Sequence, residues 1–159
     1  MNGWNISEAG HIVQVIAPVD GNNGAPVTAA RFSMAKWAHA SIIVGFGVTG
    51  GTPTSILLSA YTAQSSGTET ALAFRAYSQT TAAGDVLSTG TDYAATGITT
   101  ISGNNGIFYT IELDSSQLPS DSPWVQLNVT IPNSSNLLCA FAILSGGRQQ
   151  SPASATVLT

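Results

Sequence analysis

Charge is what this chain has least of. Only 4 lysines and arginines and 8 aspartates and glutamates occur in 159 residues, so charged side chains make up 8%, against roughly 25% in an ordinary soluble domain. The fixed cations, Arg31, Lys36, Arg75 and Arg148, are scattered along the chain. Phosphate backbones are held by clustered lysine and arginine that displace counterions, so nucleic acid is excluded as an expected partner. Were the protein part of a DNA-containing particle, a formal net charge of -4 would place it on the outside. A single cysteine, Cys139, rules out a disulfide framework within the chain and, lying in an apolar run, is expected to be a small buried hydrophobe. Long apolar runs are missing too: Ser41 to Val48 and Leu137 to Leu144 fall far short of the roughly 20 residues of a spanning helix. Disorder is excluded by the opposite balance, since hydrophobic residues reach 43%. Met1 to Gly10 has no basic stretch leading into an apolar one, so no secretory leader is expected. The glycosylation-like triplets at Asn5, Asn128 and Asn133 are then accidental.

Strand periodicity fills the chain. Val125, Leu127, Val129 and Ile131 alternate with Gln126, Asn128 and Thr130, and Ile107, Tyr109, Ile111 and Leu113 alternate with Phe108, Thr110 and Glu112. Both segments read as strands buried on one face. Further strands are expected over 12–17, 31–35, 41–48, 54–63, 70–78 and 137–144, with a weaker one over 93–101. The 137–144 run is apolar on both faces and reads as a central strand. Turn chemistry separates them: Asp20-Gly21-Asn22-Asn23-Gly24, Gly50-Gly51-Thr52-Pro53, Ser65-Ser66-Gly67, Ser102-Gly103-Asn104-Asn105-Gly106 and Pro132-Asn133-Ser134-Ser135-Asn136. Ser33 to Ala40 could make a turn or two of helix. Eight or so short strands indicate an all-β, two-sheet antiparallel sandwich, with the jelly roll as the candidate arrangement. One domain spans 1–159, with a core over 11–145, an irregular N-terminal arm over 1–10 and a C-terminal arm over 146–159.

Chemistry-bearing motifs are absent from the sequence. It has no Gly-x-Ser-x-Gly elbow and no phosphate-cradling loop, and neither His11 nor His39 sits in a ligand or base motif. Asp20, Asn22 and Gly24 faintly match the start of a calcium loop, but its terminal glutamate position is held by Arg31. Glu112 and Asp114 share a strand face and could meet other acids in three dimensions, without a motif around either. No catalytic residue, metal ligand or cofactor is therefore expected. Trp37, Trp124, Tyr61, Tyr77, Tyr93 and Tyr109 read as core or interface anchors, while Trp4 lies outside the core pattern and calls for a partner surface.

Several segments resemble a known group: Asn2-Gly3-Trp4-Asn5-Ile6-Ser7-Glu8, Phe32 to Ala40, Ala82-Ala83-Gly84-Asp85, Gly106 to Asp114, and Ala142 to Arg148. Together they are similar to capsid decoration, or cement, proteins of tailed bacteriophages, over nearly the whole chain. The resemblance implies a jelly-roll-like sandwich on the outer surface of the virion capsid, made in the host cytoplasm, which bridges neighbouring subunits of the major capsid protein. It also implies self-association, as a homodimer or a trimer, with chain ends reaching adjacent subunits. On this reading Trp4, Asn5, Ile6, Trp37, Arg148, Gln149, Val157 and Leu158 form the assembly interface, with no nucleic acid and no membrane as partner. Two alternatives use the same fold: a carbohydrate-binding module of a tail fibre or lectin, with an exposed aromatic platform, and a small depolymerase.

Overall fold

The computed structural model describes residues 5–21, 25–80, 86–131 and 136–147. Alternating burial builds two antiparallel sheets. The first runs β1 (Gly10–Asp20), β11 (Leu137–Gly147), β4 (Trp37–Phe46), β9 (Ile107–Asp114), β7 (Phe74–Gln79) and β8 (Thr91–Tyr93), in that spatial order. The second runs β2 (Pro26–Thr28), β10 (Trp124–Thr130), β5 (Ser55–Tyr61) and β6 (Glu69–Ala71), and β3 (Phe32–Ser33) also pairs with β10. β2 and β3 meet opposite ends of β10 and act as one interrupted edge strand. Without the β7–β8 hairpin, the order β1-β11-β4-β9 against β2-β10-β5-β6 is that of a jelly roll. The sandwich expected from the sequence is therefore the fold observed.

The inward residues of both sheets form the core. Val125, Leu127, Val129 and Ile131 are fully buried and face Ile42, Val44, Ile111 and Leu113 across one continuous cluster with Phe32, Met34 and Ile56. Tyr109 is buried in that cluster and accepts a hydrogen bond from the Ser102 N–H at 3.1 Å. Two bulges in β1, between Gln14 and Ile16 and between Ile16 and Val19, let the consecutive residues Val15 and Ile16 both turn inward.

Several details depart from the sequence reading. The strand expected over 70–78 is two strands in different sheets, because Leu72 bonds to the Leu58 carbonyl and the chain then crosses the sandwich. Only Phe32–Ser33 of 31–35 is a strand, and 33–40 makes a turn leading into β4 in place of a helix. Of 93–101, only Tyr93 is in a strand, with an isolated bridge at Ile98 to Ile56. At the N-terminal end, Ile6–Ala9 forms one helical turn, α1, against β1 and β11, and β1 already begins at Gly10. Gly146 and Gly147, assigned to the C-terminal arm, are the end of β11. Cys139 is not buried but half-exposed: it has the parity of Leu137 and Phe141 and points out of the sandwich while Leu138 and Ala140 point in.

Candidate functional site: the outer face of the larger sheet

The register of β1, β11, β4 and β9 places outward side chains in rows across the sheet. One row runs Ile12, Ile143, Ser41, Glu112 and Arg75, and the next runs Gln14, Phe141, Ile43, Thr110 and Tyr77. The β1–β11–β4 half is thus largely apolar and no described segment covers it, with Ile12 51% and Leu137 48% exposed. That is why β11 reads as apolar on both faces. Its position between β1 and β4 makes it a central strand, yet its second apolar face meets solvent. A contiguous apolar surface on a soluble domain marks an interaction site.

The two rows that follow lack a side chain on β4. Gly45 lies between Cys139 and Phe108, and Gly47, whose N–H bonds to the Leu137 carbonyl, lies between Leu137 and Gly106. With no Cβ there, β4 becomes the floor of a groove of about 520 Å³ between the side chains of β11 and β9, closed on one side by Pro18, Val19 and Asp20.

The other half of the face is charged. His39 Nδ1 lies 2.8 Å from Asp114 Oδ1, and Nε2 lies 2.6 Å from Glu112 Oε2. Ser41 donates to the same Glu112 oxygen at 2.6 Å, and its Oγ is 3.4 Å from Nε2. Serine, histidine and aspartate in this sequence of contacts suggest a nucleophile with its base and orienting acid. Glu112 interrupts that chain, because the Ser41 hydroxyl donates to its carboxylate at 2.6 Å while the ring nitrogen lies 3.4 Å away. Partial burial disfavours the charged ring, but the hydrogen bonds to Asp114 and Glu112 outweigh it and raise the His39 pKa above 6.5. The cluster sets one imidazole between two carboxylates. Beside it, Arg75 pairs with Asp92 at 3.1 Å. No group of three or more His, Cys, Asp or Glu suited to a metal occurs among the described residues.

Of the residues first singled out for assembly, Asn5 is exposed, Ile6 is half-buried in α1, and Trp37 is half-buried. Trp37 stacks on His11 at 5.9 Å, beside the point where β11 runs out at Gly147. Trp4, Arg148, Gln149, Val157 and Leu158 lie outside the described residues. Of the rings that a sugar platform could use, Tyr61 lies under the Arg31 guanidinium at 3.5 Å, Tyr93 packs on Phe74 and Tyr109 is buried, while Trp37, Tyr77 and Trp124 are half-exposed.

No family model matches the chain, and no curated protein matches it. Among solved structures it is similar to the SPBc2 prophage-derived protein YomS, at 11% identity and a TM-score of 0.43, over 86% of this chain and 93% of that one.

Proposed function

We propose that this chain is a non-enzymatic structural protein of a tailed bacteriophage, which decorates the outside of the capsid and stabilises it by bridging major capsid protein subunits. The observation that carries the proposal is the uncovered apolar half of the larger sheet. An outer face of Ile12, Ile143, Phe141, Ile43 and Leu137 has a use only when another surface covers it. The low charge of the chain supports the same reading, since few ions need stripping of water when such a face is buried. Self-association, as a homodimer in preference to a trimer, belongs to the proposal, as does a location on the virion surface. The test is co-sedimentation of purified protein with shells assembled from the major capsid protein of the same phage. Saturable binding at a constant ratio to capsomers is expected. Protein that stays in the supernatant at every concentration overturns the assignment.

A further inference from the structure

We propose that the glycine-floored groove at Gly45 and Gly47 is a socket for a large apolar side chain carried on a basic-flanked segment of a different protein. This rests on reading the face as a docking surface and adds what docks there. Two successive outward rows, Cys139–Gly45–Phe108 and Leu137–Gly47–Gly106, lose the β4 side chain, and the second loses the one beyond it as well, while Cys139, Phe108 and Leu137 keep theirs. The result is a slot in an otherwise filled sheet surface, and its volume of about 520 Å³ is enough for an aromatic or branched aliphatic group.

Charge selects the occupant. Asp20, beside the slot, is exposed and has no cationic partner among the described residues. At the far end of the face, Glu112 and Asp114 share His39, and Arg75 is already paired with Asp92. The slot therefore presents an apolar floor with a carboxylate on its rim that no described cation pairs. A second copy, with the same formal charge of -4, would set like charge against like, whereas lysine or arginine flanking an apolar residue matches both features.

Titration of the full, isotope-labelled chain with two short synthetic peptides tests this. Both have a Phe-Leu-Phe centre, one flanked by lysines and the other by glutamates. Shifts concentrated at Gly45, Gly47, Gly106 and Cys139 are expected, with the lysine peptide bound at least about ten-fold more tightly and losing that margin in Asp20→Asn. Gly45→Leu should abolish the shifts. A Cβ at Gly45 meets only Cys139 Sγ, at 3.6 Å, and the Cys139 carbonyl, at 4.0 Å. Gly45→Ala therefore fits without displacing the sheet and serves if the larger residue prevents folding, with an expected weakening in place of a loss. Equal affinity for both peptides, shifts elsewhere, no binding, or undiminished binding in the filled groove overturns the proposal. So does concentration-dependent self-association that Gly45→Leu removes, which would make a second copy the occupant. Failure of the wild-type protein on capsid shells would sink the capsid assignment alone, and equal shell binding by wild type and Gly45→Leu would sink the socket alone.

Discussion

Leu127→Ala is the sharpest probe of the sandwich. Leu127 is 0% exposed, sits opposite Leu58 in the β10–β5 ladder, and points into the space between the sheets. Removing its terminal carbons loses their transfer free energy and leaves a cavity that strands tied on both sides close poorly. Both β5 and the interrupted edge strand β2/β3 hydrogen-bond to β10 around this residue. The expected cost is about 2–5 kcal/mol, which for a chain of this length is a fall in melting temperature of roughly 4–20 °C. Asn128, the next residue, faces outward, and Asn128→Ala should cost less than about 1 kcal/mol. Urea unfolding followed by tryptophan fluorescence, fitted for midpoint and slope in both variants, reads the difference. A Leu127→Ala cost under about 1 kcal/mol, or equal costs for the two variants, would refute the register of β10 and with it the assignment of the outer faces.

Because the folded-state pKa of His39 is raised above 6.5, its contribution to stability is complete below that value and is lost as pH rises through the raised one. Wild type should therefore lose stability over that interval relative to His39→Gln, measured by denaturant unfolding across pH, and a parallel pH profile for the two would contradict the cluster. Arg31 directs Nη1 at the carbonyls of Ala63, Gln64 and Ser66 and covers the Tyr61 ring. Arg31→Ala should cost about 1–3 kcal/mol and speed proteolysis in the 62–68 loop, which limited digestion followed by mass spectrometry would detect. Gly97 has a φ of 72°, and an added Cβ would run into the Ile56 carbonyl. Gly97→Ala should cost at least about 1 kcal/mol, and an unchanged melting temperature would show that this turn relaxes freely.

The sequence carried the sandwich because period-two burial is local. Val125 through Ile131 and Ile107 through Leu113 show it within single strands, and the turn residues between strands need no partner to be recognised. The docking face needs register, which no single strand contains. Gly45 and Gly47 make a groove only because Cys139 and Leu137 stand beside them, across a long stretch of chain and a sheet order set by the tertiary fold. The doubly apolar run at 137–144 did signal the face, but a strand covered on its second side and one waiting for a partner have the same pattern. His39 likewise reaches Glu112 and Asp114 across 73 and 75 residues through the β4–β9 ladder. The sequence placed the two acids on one strand face, and nothing local could supply the histidine between them. The split of 70–78 was hidden because Leu72 and Phe74 keep an alternating pattern while the chain changes sheets.

The central claim is that the outer face of the larger sheet is the surface buried in assembly, and the single thiol of Cys139 reports on it directly. Cys139 is half-exposed in the groove wall, so a maleimide should label it readily in the free protein. On capsid shells the same thiol should be protected, while Asn128→Cys in a Cys139→Ser background, which places a thiol on the opposite sheet, should stay reactive. Equal labelling of Cys139 in free and shell-bound protein would contradict the account.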